Sequence, residues 1–208
     1  MATRAYTVQD LLQRKFRTLG WGSSWADAFG YPESTGLWFV WGQSGNGKTS
    51  FVVQLMCELS HSYKIFCNTL EEGMGLTLQE KLRNTHLTGC VRNIHFGMET
   101  IEELSVRLER RRAPQVVIID SVQQSGISTT QARLLRMQHQ DKLIVFVSQA
   151  RGRGPSGKVA DGIRYMADLK IWVEGYRAIS NGRYNPGGVY TIWPEGAAGY
   201  WGENVVSS

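Results

Sequence analysis

The run Gly42-Gln43-Ser44-Gly45-Asn46-Gly47-Lys48-Thr49 fits the pattern G-x-x-x-x-G-K-[ST], and its flanks leave few ways to fold around it. Upstream, Leu37-Trp38-Phe39-Val40-Trp41 reads as a buried parallel strand; downstream, Phe51, Val52, Leu55 and Met56 recur at helical spacing between Ser50 and Ser60. Strand, glycine-rich turn and helix together make a phosphate grip. The glycines let successive N–H groups converge on a β-phosphate, Lys48 brings a point charge to the β- and γ-oxygens, and the Thr49 hydroxyl can join a Mg²⁺ shell. Gly42 through Ser50 are therefore expected to hold a nucleoside triphosphate.

With 208 residues and 42% apolar content, the chain can bury one sizeable core and is too short for two full domains. No apolar run approaches the ~20 residues of a spanning helix, so no membrane partner is expected. The start lacks the apolar stretch of a secretory signal. Its bases, Arg4, Arg14, Lys15 and Arg17, stand beside Leu11, Leu12 and Phe16 in an expected amphipathic helix from Val8 to Phe16, with Asp10 in the first turn. The three cysteines, Cys57, Cys67 and Cys90, form neither a C-x-x-C pair nor a set that pairs without remainder. That usage suggests a cytoplasmic protein, with Cys57 and Cys67 as buried small hydrophobes. The net charge of +5 is unevenly placed: residues 1–20 and 150–164 each carry four bases against one acid, which points to a polyanionic partner.

Further along, Lys64–Leu70 is an expected strand, Leu76–Leu82 a short helix and Ile94–Phe96 a brief strand. A helix opens at Thr100, with Glu102 and Glu103 at its positive end; Arg110, Arg111 and Arg112 read as a solvated face. Val116-Val117-Ile118-Ile119-Asp120 is the most β-branched run and should be a central strand, followed by a helix Thr129–His139 and a buried strand Leu143–Gln149. Residues Ala150–Lys158, glycine-rich and basic, read as a mobile loop. Leu169–Glu174 and Gly188–Trp193 read as two antiparallel edge strands joined by Gly175–Gly187, and Asn204–Ser208 as a disordered tail. The fold class is α/β: a mostly parallel central sheet with helices on both faces and an antiparallel C-terminal edge. The expected divisions are an N-terminal arm over 1–20, a core over 21–203 and a tail over 204–208. Most of the seven tryptophans, among them Trp21, Trp25, Trp38, Trp41, Trp172 and Trp193, are expected to pack in the core or at its edge.

In such a sheet, ligands lie beyond the carboxyl ends of the parallel strands. Asp120 then falls where an acid can hold Mg²⁺ through water or through Thr49. Glu71 or Glu72 can orient and deprotonate an attacking water, with Glu71 nearer the strand end.

Taken together, Gly42–Thr49, Asn68-Thr69-Leu70-Glu71-Glu72, Val116–Ser121 and Phe146-Val147-Ser148-Gln149 resemble the RecA/RadA-like and DnaB-type helicase branch of P-loop ATPases, over roughly Trp25 to Trp193. The resemblance implies ATP and Mg²⁺ as ligands, Glu71 as catalytic base and Gln149 as a γ-phosphate sensor. It also implies that the segment carrying Arg151, Arg153 and Lys158 contacts nucleic acid, single-stranded DNA first among the choices. Asn181-Gly182-Arg183-Tyr184-Asn185 stands where such proteins often carry Lys-x-Arg-x-Gly, so Arg183 is the expected finger into a neighbouring subunit's site, in a ring or a filament. Asn181 replaces the lysine, which puts turnover in question. Two other readings stay open. One is a nucleotide-held mediator or scaffold similar to recombinase paralogs, and the other a P-loop small-molecule kinase, which leaves Glu71 and Gln149 without a shared role.

Overall fold

A computed structural model describes residues 5–71, 73–84 and 91–202. Glu72, Cys90 and the tail 204–208 lie outside the described residues, so the expectations placed on them stand as they were.

Thr7 opens α1 (Val8–Gln13) with a capping box to Asp10, but the helix stops short of Phe16 because Arg14 turns extended. Nothing on α1 is buried: Val8, Leu11, Leu12 and the following Phe16 are all exposed. The chain joins the body at Leu19, which is buried, and α2 (Ser23–Phe29) packs Trp25, Ala28 and Phe29 inward.

Six strands run parallel: β1 (Gly36–Gly42), β2 (Ile65–Thr69), β3 (Ile94–Gly97), β4 (Val116–Asp120), β5 (Leu143–Arg151) and, after the two-residue β6 (Gly154–Pro155), β7 (Leu169–Glu174). With the short β8 (Arg177–Ser180) and β9 (Val189–Thr191), the sheet order is β3-β2-β4-β5-β1-β7-β8-β9, and β6 pairs only with β5. Helices α3 (Lys48–Ser60), α4 (Leu76–Asn84), α5 (Ile101–Leu108), α6 (Val122–Ser125), α7 (Thr129–Gln138), α8 (Lys158–Met166) and α9 (Pro194–Trp201) complete the described chain.

Strand alternation splits the core into two layers. Trp38, Val40, Ile65, Cys67, Val116, Ile118, Val145 and Val147 face α2 and α3. Leu37, Phe39, Trp41, Phe66, Val117, Ile119, Ile144 and Phe146 face α5, α7 and α8. Each fully buried aliphatic or aromatic side chain contributes about 1.5–3 kcal/mol, so these two layers hold the strand ends in fixed relation.

The structure corrects further expectations. The Leu169–Glu174 strand is parallel to β1, and its antiparallel partner β8 lies inside the segment taken as a connection. The cause is the turn Gly175-Tyr176, where both residues have positive φ (51° and 59°), the conformation of a tight hairpin turn that reverses the chain at once. Residues 150–158 form an ordered hairpin rather than a mobile loop, since β5 runs on to Arg151 and returns as β6. Cys57 is half-buried rather than fully buried, whereas Cys67 is the buried thiol expected. The tryptophans pack as expected: Trp25, Trp38, Trp41 and Trp172 are buried, and Trp193, 49% exposed, packs at the edge against Tyr176. Among the described residues no helix is long and apolar enough to cross a membrane.

At the β2 edge the Asn68 side chain exchanges two hydrogen bonds with the Glu99 backbone, at 2.8 and 2.7 Å, while the Glu99 carboxylate grips Arg107, whose guanidinium lies over Phe66. The Arg107 hydrogen bonds are the main reason the Glu99 carboxyl sits below its usual range. A lowered folded value stabilises the protein above the unfolded pKa, and that stabilisation disappears as pH falls through the folded value. Glu99→Gln should therefore lower stability at pH 7 by about 1–2 kcal/mol, a range discounted for partial exposure. In urea unfolding, the gap to wild type should close below about pH 4.

Candidate functional site

β1 ends where two neighbours crowd it. Gly42 pairs with Gln149 of β5 on one side and Val173 of β7 on the other, and a Cβ at Gly42 would lie 2.4 Å from the Val173 carbonyl oxygen. The chain then leaves the sheet through Gln43–Gly47, with Gly45 and Gly47 in left-handed conformations (φ 79° and 92°), and enters α3 at Lys48. No side chain caps α3, a helix of 13 residues, so its first N–H groups remain for an anion. Phe51, Val52, Leu55 and Met56 bury one face of α3 and fix where that end points.

The β7–β8 turn holds the loop in shape. Asn46 Oδ1 accepts from Gly175 N at 2.8 Å, Asn46 O accepts from Tyr176 N at 3.1 Å, and Asn46 Nδ2 donates to Ser44 O at 3.2 Å. The Tyr176 ring lies so close that a Cβ at Gly47 would come within 3.0 Å of it, and Trp193 meets Tyr176 edge-on at 4.9 Å. Nothing in the sequence pattern pointed to Tyr176 or Trp193 as neighbours of the loop; only the hairpin turn brings them there.

The other expected residues arrive on adjacent strand ends. Asp120 closes β4 opposite Thr69 of β2 and Val147 of β5, one strand away from β1. Its carbonyl accepts from Leu70 N at 2.7 Å and Glu71 N at 3.1 Å, which anchors the chain where β2 ends. Gln149 Nε2 then donates to Glu71 Oε1 at 3.0 Å, joining two residues 78 apart in sequence. Beside Asp120, the Ser121 hydroxyl is buried and has no partner. Behind it, burial first and the Asp120 charge second push the Cys67 thiol up, so it stays protonated.

Lys48, Thr49, Glu71, Asp120 and Gln149 thus stand on neighbouring strand and helix ends. Arg183 does not join them. It lies in the β8–β9 connection and lines a cavity with Glu33, Gly36, Arg136 and Asp168 at the start of β1. The two ends of this seven-residue strand are about 20 Å apart. Asn181, just after β8, stands level with the middle of β1: its N–H bonds to Lys170 O at 2.7 Å, and it lines a cavity with Trp41 and Arg164.

Arg151 and Arg153 are exposed on the β5–β6 hairpin, and Lys158 opens α8 beside it. The hairpin leans on the phosphate loop: Gln43 Nε2 donates to Gly152 O at 3.2 Å and Trp41 Nε1 to Arg153 O at 3.0 Å.

The donor set fits a Mg-nucleotide. The uncapped α3 end and the two left-handed glycines form the phosphate cradle, with the Thr49 hydroxyl and the Asp120 carboxylate as oxygen donors for a hard cation. Among the described residues no cluster of three or more His, Cys, Asp or Glu could bind a metal by itself, so the cation would share its coordination with phosphate oxygens and water.

No family model matches the chain, and no curated protein is similar to it in sequence. Solved structures do share its fold. The KaiC-like protein PH0186 from Pyrococcus horikoshii OT3 aligns with a TM-score of 0.58 at 16% identity, over 76% of this chain and 81% of that one. The flagellar accessory protein FlaH from Methanocaldococcus jannaschii gives 0.56 at 13% identity, over 84% and 94%. A third solved structure, an isolated ATPase domain, gives 0.52 at 14%, over 75% and 80%. What these likenesses show is the fold: the chain shares with these proteins an α/β architecture of a mostly parallel central sheet with flanking helices.

Asn46 serves the shape of the loop and leaves the anchored helix alone. Asn46→Ala should weaken nucleotide binding about tenfold, as expected for the loss of a loop-ordering hydrogen bond. Calorimetric titration would measure this, and the melting temperature without nucleotide should shift by less than about 4 °C.

Proposed function

We propose that the protein is a RecA-like ATPase that binds ATP with Mg²⁺ at the contact between subunits, hydrolyses it, and couples the cycle to single-stranded nucleic acid, DNA first. The observation that carries the reading is the Gln149–Glu71 hydrogen bond at the mouth of the phosphate loop. A carboxylate tied to an amide there has the chemistry of a base and its trigger. Once a γ-phosphate competes for the Gln149 amide, Glu71 is released to take a proton from water.

Lys48 and the α3 N–H groups hold the β- and γ-phosphates, and Thr49 and Asp120 hold the cation. Mg²⁺, when bound, neutralises charge that builds on the β–γ bridge. Glu71 accepts the proton as the water oxygen bonds to the γ-phosphorus, and the bond from that phosphorus to the bridging oxygen breaks to leave ADP. Arg183, too far from its own phosphate loop, serves a neighbour's site in this scheme. The exposed apolar side of α1 provides a place for the subunits to grip.

Arg151, Arg153 and Lys158 make the nucleic-acid contact on a hairpin that is already shaped, so little order has to be gained on binding. Three phosphate contacts to a single strand give a log–log salt slope of about −2. Removing Arg151 and Arg153 together should bring the slope to about −0.7.

The specific rate of ATP hydrolysis should rise with protein concentration and rise again with single strands at low salt. A rate independent of concentration would exclude the shared site, and no response to single strands would exclude the nucleic-acid partner. Asn181, where a lysine is usual, favours a second reading in which nucleotide holds an assembly together and turnover is incidental. Glu71→Gln separates the two. A motor loses its strand-dependent function, whereas a scaffold keeps or tightens its assembly with ATP, as read by mass measurement.

A further inference from the structure

Gln149 is gripped by more than Glu71. Its backbone N–H donates to Gln123 Oε1 at 3.2 Å, and its carbonyl accepts from Ser156 N at 2.9 Å and from the buried Ser148 hydroxyl at 2.9 Å. Gln123 Nε2 donates in turn to Ser156 O at 2.8 Å and to Ser148 Oγ at 2.9 Å. A primary amide has two N–H donors and an acceptor oxygen, and here all are used. The orientation of the amide is fixed by its partners, because a backbone N–H can only donate and a backbone carbonyl can only accept.

Gln123 stands on α6, three residues after Asp120, and its single side chain clasps both feet of the basic hairpin: Gln149 where β5 enters it and Ser156 where the chain returns. The far part of the hairpin rests on Gln43 and Trp41. Each of these side-chain ties runs to an element of the nucleotide site.

We propose that Gln123 is the positioning residue that couples the state of the nucleotide site to the Arg151–Arg153 hairpin. The proposal rests on the nucleotide-site reading given above. When the Gln149 side chain changes partner between Glu71 and a γ-phosphate, its backbone shifts. The Gln123 amide, bonded to that backbone and to Ser156 O, carries the shift to the returning foot of the hairpin. Both feet then move as a unit, and the two arginines are presented differently in the two nucleotide states. Without Gln123 the feet keep the Gln149–Ser156 backbone bond and the β5–β6 pairing, but lose the Gln123 side chain's tie to the segment that follows Asp120.

Backbone amide exchange tests this on the full chain, with Mg²⁺ and a nonhydrolysable ATP analogue as the probe and no nucleic acid present. In the wild type the analogue should protect amides 43–49 and change exchange across 150–157 by about fivefold or more, the usual size of a site-to-site coupling. Gln123→Met keeps the length of the side chain and loses all three bonds. It should keep the protection of 43–49 and lose the response of 150–157. Gln123→Glu keeps the acceptor for Gln149 N and loses both donated bonds, and it too should lose the hairpin response; it also stands in if the methionine variant does not fold. A wild-type response in either folded variant, or a wild-type hairpin that ignores a bound analogue, overturns the proposal. Absence of protection at 43–49 in the wild type would overturn the nucleotide reading and this proposal with it. Failure of the chain to bind single strands would instead reject the nucleic-acid partner while the exchange result stands.

Discussion

β1 is held between β5 and β7 in a register that sets Gly42 against Gln149 and Val173, and the site is built outward from that pairing. Any side chain at Gly42 would meet the Val173 carbonyl, so the last residue of the strand has to be glycine. The same register delivers Gln149 to the first residue of the phosphate loop. Through β4, which pairs Asp120 with Val147, it also fixes how far the acid lies from that loop. Because the two core layers are filled by alternate residues of the same strands, a slip of one residue would turn each strand inside out. The packing that excludes such a slip also sets the spacing of Lys48, Asp120 and Gln149.

What could be read from the sequence follows from how local each signal is. The phosphate loop, the helix that opens at Thr100 and the β-branched run before Asp120 are written in adjacent residues, and the structure has them where the pattern placed them. The hydrogen bond between Glu71 and Gln149 joins residues far apart, and the resemblance, not the spacing, suggested their shared role. Tyr176 could not be foreseen beside Gly47. It reaches the loop only because Gly175-Tyr176 forms a tight turn, and a tyrosine at positive φ is not a turn signal. β8 was missed for the same reason, since glycine density around it reads as a connection.

Glycine content misled at the hairpin as well, and the reason is physical. Glycine lowers the cost of a tight turn as readily as it permits disorder. Which outcome occurs depends on whether nearby groups satisfy the backbone of the turn. Around 150–157 they do: carbonyls 152, 153 and 156 each accept a bond from a side chain of another segment. Only one of those side chains, Gln43, belongs to the phosphate-loop motif. A basic segment held this way pays little ordering entropy on meeting a polyanion, and it can report on the groups that hold it.

Under the proposed function, the distribution of charge along the sheet calls for a site completed between chains. Lys48, Thr49, Glu71, Asp120 and Gln149 occupy the carboxyl ends of the strands. Arg183 lies at the opposite end among Glu33, Arg136 and Asp168. Arg136 there is spoken for, donating to both Asp168 oxygens at 2.9 and 2.7 Å and to Met166 O at 2.8 Å. It therefore has a structural partner and is the weaker choice for a phosphate. A guanidinium about a strand's length from its own phosphate loop cannot close that gap without dismantling β8, whose pairing with β7 holds the Asn46 clamp in place, and β9, which pairs with β8. If Arg183 acts in hydrolysis, it acts on another chain's nucleotide. The rate in the proposed function then depends on how firmly neighbouring copies are joined.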